Sequence, residues 1–526
     1  MSTRKKTLII ALDGFTWNLG KPFVEEGVMP FLGRFLHSGC HGVLDSVMPF
    51  ETSPAWSTFQ TGCAPGKTNI YAFHTYDRAK KEIRLNSYLD IMAPTLWEIA
   101  DNAGKKIVSM NMPVTSPPPK LSNGIIIPGL LCPGLSSDTV WPAEVFEKYI
   151  RPQQGYNIVF KDPDCTDEYF IEQSIKTEQS RTQAAINIMN DVDWDIFCIQ
   201  MQSTDAFQHH FWGVLADSSE SNKSLRKQVC EFYRSCDGFI KSLVENAGQD
   251  TLTIMVSDHG FCGGKTTIGI NVWLRQNGYL HFLRDEPKGL WQKAKNNCPP
   301  LKAIAKQIGP ILKKTSSDDN DELFVKTVES HLRRLIDLDK STAFCLGGMG
   351  GILYINADDT TKKKIADEIT SGLMKEFGPD SSQHVIEKIS PAKEIYGDNP
   401  TADKMPDLVI TFVEGAEHRI EPSGDKAVFD KRFDGTHSKA GFFAAIGKDI
   451  KHTQLDCSIP DIAPTVLAWM GIDVPSHMDG RVIHEMFESR INENRTDVSG
   501  NIKKDTEYSD AEQADVEKQL RDLGYL

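Results

Sequence analysis

The segment Thr7-Leu-Ile-Ile-Ala-Leu12 is a short apolar run that stops abruptly at Asp13-Gly14. An aliphatic run without polar alternation is typical of a strand that is covered on both faces of a parallel sheet. Similar runs recur along the chain, at 106–110, 125–127, 194–201, 251–256, 351–355, 408–413 and 442–446. Helical patterns lie between them, at 29–37, 95–103, 167–189, 224–246, 361–377 and 461–470. This alternation predicts an α/β fold with a mostly parallel central sheet and helices on both faces.

Two regions interrupt the alternation and suggest how the chain is divided. Residues 285–340 are rich in Lys and Asp, which favours an insertion of short helices and an exposed loop. Residues 113–165 contain three consecutive prolines and many glycines, and we expect a loop-rich wall there. We therefore predict one core domain from residues 1–284 and 341–488, with these insertions forming a cap. Residues 489–526 are expected to form a polar linker and a short amphipathic C-terminal helix.

The composition excludes some classes of protein. A net charge of −14 over 526 residues argues against binding to a nucleic-acid polymer, because phosphate backbones select basic surfaces. The eleven cysteines include no Cys-x-x-Cys pair, which favours free thiols in a reducing compartment. No run approaches the ~20 apolar residues that span a bilayer, and the run after Arg4-Lys-Lys6 is too short for a secretory signal. We expect a cytoplasmic protein without a membrane span.

Polar clusters follow the apolar runs, at the points where the predicted strands end. They are Asp13-Gly14, Asp205-x-x-x-His209, Ser257-Asp258-His259-Gly260 and His437. In an open α/β sheet the ligand crevice lies beyond the carboxyl ends of the strands, so these side chains should converge there. Three carboxylates and three imidazoles are the ligand set of a two-metal hydrolytic site.

Each cluster taken alone also has an ordinary explanation, such as an Asp-Gly turn or a structural histidine. Asp205 and His209 share one face only if a helix follows the strand at 194–201. Adjacent residues in a strand point to opposite faces, so Asp258 and His259 reach one metal only if the chain leaves the sheet there. Gly260 permits that turn. Their common position at strand ends favours the metal site.

The stretch from Met48 to Gly62 holds the candidate nucleophile. Its pattern does not choose among four hydroxyls, those of Thr52, Ser53, Ser57 and Thr58. A divalent cation would lower a hydroxyl's pKa enough for it to attack phosphorus, and a helix beginning there would stabilise an anionic phosphoryl group. Trp56 is expected to be either a stacking surface for substrate or part of the core.

This ordered set of motifs resembles the alkaline phosphatase superfamily, and within it the type I phosphodiesterase/nucleotide pyrophosphatase branch. The resemblance spans roughly residues 7–485, and the sequence ending at Leu526 is similar to tails of a little-characterised cytoplasmic phosphohydrolase group. The motifs that carry it are Leu12-Asp13-Gly14, Thr52-x-Pro54 with Thr61-Gly62-x-x-Pro65, Asp205-x-x-x-His209, Ser257-Asp258-His259-Gly260 and Gly435-Thr-His437.

The resemblance implies two divalent metal ions, zinc being the usual ion and manganese tolerated. It assigns one ion to Asp205, His209 and His437. It assigns the other to Asp13, Asp258, His259 and the hydroxyl of Thr52. Thr52 would attack a small-molecule phosphate diester in line, and water would then hydrolyse the covalent phospho-threonine.

The sequence departs from this branch at the phosphoryl-binding positions. Where nucleotide pyrophosphatases carry His-Gly and then an Asn, this chain has Thr68-Asn69 and Phe73, with His74 next. Phosphoryl binding is therefore expected from Asn69 or His74. Cys63-Ala-Pro-Gly-Lys67 only mimics a sulfatase signature and lies after the nucleophile region, which argues against a sulfatase. Three alternatives to a phosphodiesterase stay open: a phosphotransferase, a phosphomonoesterase and an inactive metal-binding protein.

Overall fold

The structure is a computed structural model that describes residues 4–160, 162, 165–216, 223–282, 336–397, 404–420, 426–430, 434–497 and 509–522. Most of the insertion predicted at 285–340 therefore lies outside the described residues, as does part of the C-terminal linker.

Within these residues the strands cluster in several sheets. In chain order they are β1 (Thr7–Leu12), β2 (Cys40–Asp45), β3 (His74–Asp77), β4 (Glu82–Leu85), β5 (Ile107–Met112), β6 (Gly124–Pro128), β7 (Ile196–Met201), β8 (Leu252–Val256), β9 (Gly260–Gly263), β10 (Thr266–Ile268), β11 (Ala343–Leu346), β12 (Gly351–Ile355), β13 (Ile386–Pro391), β14 (Leu408–Phe412), β15 (Ala416–His418), β16 (Val428–Asp430), β17 (Gly435–Ser438), β18 (Ala440–Ile446), β19 (Thr453–Gln454), β20 (Cys457–Ser458), β21 (Val474–Pro475) and β22 (Arg495–Thr496).

The α-helices of the same residues are interspersed among these strands. They are α1 (Trp17–Glu25), α2 (Leu32–Ser38), α3 (Thr52–Thr61), α4 (Pro65–Thr68), α5 (Leu96–Asn102), α6 (Asp167–Asp191), α7 (Ser203–Ala216), α8 (Lys223–Ala247), α9 (Ile270–Gln276), α10 (Asp359–Phe377), α11 (Ala392–Tyr396), α12 (Ile462–Trp469) and α13 (Asp510–Asp522). Among the described residues, no helix combines the length and the hydropathy of a membrane-spanning segment.

The central sheet has the strand order β19-β2-β18-β8-β1-β7-β5-β6, and β20 also pairs with β2. The five strands β8, β1, β7, β5 and β6 are parallel to one another. β18 runs antiparallel to both of its neighbours. This arrangement confirms the mostly parallel sheet predicted from the sequence. The antiparallel β18 is what the apolar pattern alone did not indicate, because a run buried on both faces looks the same in either direction.

Both faces of the central sheet are covered, as predicted. On β1, Leu8, Ile10 and Leu12 belong to one buried cluster, and Ile9 and Ala11 belong to another. This alternation follows from the two-residue period of a strand. Helices α1, α2, α6, α7 and α8 contribute to the first cluster. Helices α3, α5 and α12 contribute to the second.

A second sheet lies apart from the central one. Strands β12 and β14 were expected in the parallel sheet, but they pair within a four-stranded antiparallel sheet of order β11-β12-β14-β13. This sheet packs with α10 in a buried cluster of its own. An apolar run indicates that a strand is buried but does not specify which strand it pairs with, so the sequence could not separate the two sheets. The domain division stays a prediction.

The C-terminal helix α13 lies within the segment 489–526, where a short helix was predicted, and it packs against the chain that follows α4. Its buried residues Val516 and Leu520 share a cluster with Ile70, Phe73 and Leu85. On the same helix, Gln519 Nε2 donates to the carbonyl oxygens of the loop at 132–133. The end of the described chain therefore contacts the loop-rich region 113–165.

Candidate two-metal site

Three adjacent parallel strands deliver the polar clusters to one edge of the central sheet. Asp13 follows β1, Asp258 and His259 follow β8, and α7 begins directly after β7. Two hydrogen bonds join α7 to the end of β1: Thr204 Oγ1 donates to the Asp13 carbonyl oxygen (2.7 Å), and Gln208 Nε2 donates to that of Gly14 (2.9 Å). Asp205 and His209 were predicted to share one face only if a helix follows the strand at 194–201, and α7 is that helix.

The chain also leaves the sheet after β8, as the Asp258–His259 pair requires. Asp258 and His259 lie in a bend before β9, which pairs antiparallel with β17. Gly260 has no room for a side chain, because a Cβ atom there would lie 1.9 Å from the Ala440 carbonyl oxygen. The pairing of β9 with β17 brings His437, opposite Phe261, into the same region.

Asp205, His209 and His437 form one buried group, called here the first group. His437 Nε2 lies 3.2 Å from Asp205 Oδ1, and His209 Nε2 lies 3.6 Å from Asp205 Oδ2. The two histidine Nε2 atoms are 3.0 Å apart. Two ring nitrogens can face each other at this distance only if a proton or a metal ion lies between them.

Asp13, Asp258 and His259 form the second group. His259 Nε2 lies 3.3 Å from Asp258 Oδ2 and 3.7 Å from Asp13 Oδ1. The two groups adjoin, since His259 Nε2 is also 4.0 Å from Asp205 Oδ1, and the rings of His259 and His437 stack with centroids 3.5 Å apart. In each group the ligand atoms all lie within 4.8 Å of one another. The structure thus brings the six side chains together in the same two sets that the resemblance implies.

Backbone carbonyls orient all three histidines in the same way. His209 Nδ1 contacts the carbonyl oxygen of Gly435 (3.0 Å), and His437 Nδ1 contacts that of Phe50 (3.2 Å). The Nδ1 atom of His259 lies 3.2 Å from the Gly260 carbonyl oxygen. A carbonyl oxygen only accepts, so each Nδ1 carries the hydrogen and each Nε2 lone pair faces the site. This is the tautomer that a metal-binding imidazole needs.

The three carboxylates are buried close together, which sets their protonation. Burial raises the pKa of Asp13 well above its ordinary value, and the charges of Asp258 and Asp205 raise it further. Burial also raises the pKa of Asp258 to about 8, although the Gly14 amide opposes this. Burial opposes ionisation of Asp205 too, but His209 and His437 outweigh it and lower the pKa of this carboxyl.

The site is consistent with bound cations. Among the described residues, Asp13 Oδ1, Asp258 Oδ2 and His259 Nε2 make no hydrogen bond although they are buried. Buried polar atoms without a partner are costly, and a cation would satisfy all three. Carboxylate oxygen and imidazole nitrogen suit zinc and, with more oxygen ligands, manganese. The residues present therefore fit a pair of divalent ions.

Thr52 is the first residue of α3, after Glu51 in the N-cap position. Ser53, Ser57 and Thr58 are buried as fully as Thr52, and none of the four hydroxyls has a hydrogen-bond partner among the described residues, so burial does not choose between them. Residues close to Thr52 contact both groups: the Phe50 carbonyl contacts His437 of the first group, and the Trp56 indole contacts Asp13 of the second. Residues three or four apart share a helix face, so Thr52 and Ser53 both lie on the side of Trp56. The choice of Thr52 among the four hydroxyls stays a prediction.

Three other residues have contacts that the sequence did not specify. Trp56 is fully buried, which makes it part of the core and excludes the stacking surface, and its Nε1 donates to Asp13 Oδ2 (2.9 Å). Gln200 donates to the same oxygen (2.8 Å), and Asn111 donates to Gln200. A glutamine inside the apolar run 194–201 was the one sequence signal for this contact.

The two predicted phosphoryl-binding residues lie outside both groups. Asn69 ends α4 with a left-handed backbone (φ 65°). His74 is buried, and its Nε2 lies 3.5 Å from Glu517 Oε1 on α13. Phe73, at the family's Asn position, is buried in the cluster with Val516 and Leu520. The phosphoryl-binding role of Asn69 and His74 stays a prediction.

Comparison with known protein families gives one match. The family model for type I phosphodiesterase / nucleotide pyrophosphatase matches residues 7–438. No protein of curated function matches the sequence.

Solved structures share the fold at low sequence identity. Human ectonucleotide pyrophosphatase / phosphodiesterase 5 aligns over 93% of this chain and 100% of its own, with 13% identity and a TM-score of 0.51. An inactive variant of the murine protein, in complex with AMP, aligns over the same shares with 11% identity and a TM-score of 0.52. Phosphonoacetate hydrolase from Sinorhizobium meliloti 1021, in complex with phosphonoformate, aligns over 84% of this chain and 90% of its own, with 13% identity and a TM-score of 0.51. At such identities these likenesses support the fold alone.

Proposed function

The chain belongs to the type I phosphodiesterase / nucleotide pyrophosphatase family and is a metal-dependent phosphoric ester hydrolase, and we propose that it cleaves small-molecule phosphate diesters through a covalent intermediate on Thr52. The observation that carries this proposal is the start of α3 at Thr52, two residues after Phe50, whose carbonyl contacts the first group, and four before Trp56, whose indole contacts the second. We assign one zinc ion to Asp205, His209 and His437, and the other to Asp13, Asp258, His259 and Thr52. Manganese would be tolerated at both positions.

Two bound cations supply Lewis-acid chemistry: they lower the pKa of a hydroxyl or water and offset charge on phosphorus. The chain's own residues supply the rest. Thr52 Oγ1 forms a bond to phosphorus as the bond from phosphorus to the leaving oxygen breaks, and the leaving group departs as an alcohol. Water then attacks phosphorus and releases the Thr52 hydroxyl and a phosphate monoester. The backbone N–H groups of Thr52 and Ser53, at the first turn of α3, favour the anionic phosphoryl group.

We also propose an ester class and a cellular compartment for this enzyme. A diester is favoured by the family, while a phosphomonoesterase and a phosphotransferase are the alternatives that the same two steps allow. In the transferase, an organic hydroxyl replaces water in the second step. We place the enzyme in the cytoplasm, since the ten cysteines among the described residues are all free thiols, as expected in a reducing compartment.

The test compares Thr52→Ala with Thr58→Ala. Both threonines are fully buried on α3, and neither hydroxyl has a hydrogen-bond partner among the described residues, so the two variants have matched structural consequences. We expect Thr52→Ala to lower kcat/KM by at least about 10³-fold, which is about 4 kcal/mol, and Thr58→Ala to stay within a few-fold of wild type. Equal effects of the two substitutions would refute the nucleophile assignment.

The assay uses an aryl phosphodiester and the matching monoester, with Zn²⁺ or Mn²⁺ added. A diester preference supports the phosphodiesterase, and a monoester preference moves the enzyme to the phosphomonoesterase alternative. Adding an acceptor alcohol separates hydrolysis from transfer by product analysis. Acid quenching during turnover, followed by mass spectrometry, should detect a phosphorylated peptide that contains Thr52 and is absent from Thr52→Ala.

A further inference from the structure

The two oxygens of Asp13 have different surroundings. Its Oδ2 accepts two hydrogen bonds, from Trp56 Nε1 (2.9 Å) and from Gln200 Nε2 (2.8 Å). Its Oδ1 accepts none among the described residues and lies 3.7 Å from His259 Nε2. A carboxylate held in this way presents a single oxygen to the second group. The donors therefore determine how Asp13 can bind an ion.

The first donor comes from the helix that begins with the candidate nucleophile. Trp56 lies one turn after Thr52 on α3, and its ring packs edge-on against Phe59 (centroids 5.4 Å apart, planes at 87°). The indole is fully buried and has a donor but no acceptor. The indole can therefore only donate to Asp13, and this hydrogen bond couples the position of α3 to the orientation of the carboxylate.

The second donor is oriented by a chain of side-chain amides. Gln200 lies in β7 opposite Ala11, two residues before Asp13 on the neighbouring strand. Asn111 Nδ2 donates to Gln200 Oε1 (2.8 Å). Because that oxygen is the acceptor, the other end of the Gln200 amide is the donor, and it faces Asp13 and Gln202 Oε1 (2.8 Å).

Asn111 itself has an unusual backbone. Its φ is 61°, in the left-handed region that few residues other than glycine adopt. In this conformation its Nδ2 also lies 3.3 Å from the carbonyl oxygens of Gln200 and Ile158. The left-handed backbone of Asn111 thus accompanies the contact that sets the Gln200 amide, a pattern seen where surrounding structure maintains local strain.

We infer that Trp56 and Gln200 are positioning residues that hold Asp13 so that only Oδ1 faces the ion of the second group. This inference rests on the proposed metal site. Hydrogen bonds to the far side of a ligating carboxylate fix its orientation, and losing such partners lowers metal affinity by about 10–100-fold in other sites. Residues of the first group should be unaffected, since neither donor contacts them.

The test uses Trp56→Phe and Gln200→Met, with Trp97→Phe as the matched control. Trp97 is also fully buried in the same cluster, and its Nε1 donates to Gln60 Oε1 at 2.9 Å, so the control loses an equivalent hydrogen bond away from Asp13. Metal-free protein is titrated with Mn²⁺ by calorimetry, below the melting temperature of every variant. Gln200→Met keeps the chain length of the side chain and provides a second, smaller perturbation.

We expect wild type and Trp97→Phe to bind two Mn²⁺ ions with the same affinities. In Trp56→Phe and Gln200→Met, one of the two affinities should fall by about 10–100-fold and the other should not change. A higher Mn²⁺ concentration should then restore kcat in both variants.

Two outcomes would overturn the inference: wild-type affinities at both sites in Trp56→Phe, or a loss of affinity in Trp56→Phe that is equal to that in Trp97→Phe. Two bound ions without phosphoester turnover would overturn the proposed function and leave this inference standing. Absence of Mn²⁺ binding in wild type would overturn both.

Discussion

Replacing His74 by alanine tests whether this side chain binds the phosphoryl group or stabilises the fold through its contact with the C-terminal helix. The sequence predicts a phosphoryl-binding group, whereas the structure pairs the imidazole with Glu517 of the C-terminal helix. Their side chains are 2% and 4% exposed, and Nε2 lies 3.5 Å from Oε1. Neither ring nitrogen of His74 makes a hydrogen bond among the described residues, so the contact with Glu517 offsets part of the cost of burying the imidazole.

The structure gives the expected magnitude. Removing one member of this contact leaves polar atoms of the other buried without their neighbour, which costs about 1–3 kcal/mol. We therefore expect a loss of about 2 kcal/mol for His74→Ala and for Glu517→Ala. The double variant should lose less than the sum, with a coupling energy of about 1–3 kcal/mol. Since the pair lies outside both metal groups, kcat/KM should stay within about threefold, or about 0.7 kcal/mol.

Thermal melts of wild type, the two single variants and the double variant measure the cycle. Values of kcat/KM are taken below all four transitions. Lys518→Ala, an exposed position on the same helix, controls for changes to α13 and should alter stability by less than about 0.5 kcal/mol. If His74→Ala lowers kcat/KM by a hundredfold or more while stability and Glu517→Ala activity are unchanged, the reasoning is refuted and His74 contacts the phosphoryl group.

Two further predictions concern pH and the C-terminal helix. The folded, metal-free protein holds a proton on Asp258 up to about pH 8, whereas the unfolded chain releases it near the ordinary carboxyl pKa of 3.8. The free energy of unfolding should therefore fall as pH rises from about 4 to about 8. Added Mn²⁺ should reduce that fall, because bound cations replace the proton. Thermal melts with chelator and with Mn²⁺ that show the same pH dependence would contradict this expectation. Leu520→Ala removes a fully buried side chain from the cluster that joins α13 to Ile70 and Phe73, and we expect a loss of about 2–5 kcal/mol. Faster proteolytic release of α13 than in Lys518→Ala is the expected readout, and equal rates would count against the packing argument.

The candidate site shows how far local patterns reach. Asp205 and His209 are four residues apart, so a helix was enough to bring them together, and α7 supplies it. Asp258 and His259 required a bend after a strand, which Gly260 indicated. The sequence separation between these clusters and His437 exceeds 170 residues, and only the shared position at strand ends connected them before the structure was known.

The contacts of Asp13 show where local patterns stop. Trp56 could be core or a stacking surface, and nothing in the sequence connected its indole to Asp13, 43 residues earlier. Gln200 lies in an apolar run, where a buried amide must find a partner, but which partner depends on β7 lying beside β1. The position of His74, next to the family's Asn position, suggested substrate binding, and this role stays a prediction. Its contact with Glu517, more than 400 residues later in the chain, could not be read from the sequence.

The α/β class, the mostly parallel sheet with both faces covered, and the family could be predicted from the sequence, because apolar period and motif order are local properties of a segment. Three features became apparent from the folded chain: β12 and β14 leave the central sheet, β18 runs antiparallel, and Trp56 and Gln200 meet at one oxygen of Asp13. An apolar strand needs neighbouring strands in order to be buried, but many different strands could serve as those neighbours. Which one is chosen depends on the packing of the whole chain, and so do the hydrogen bonds that orient the side chains of the site.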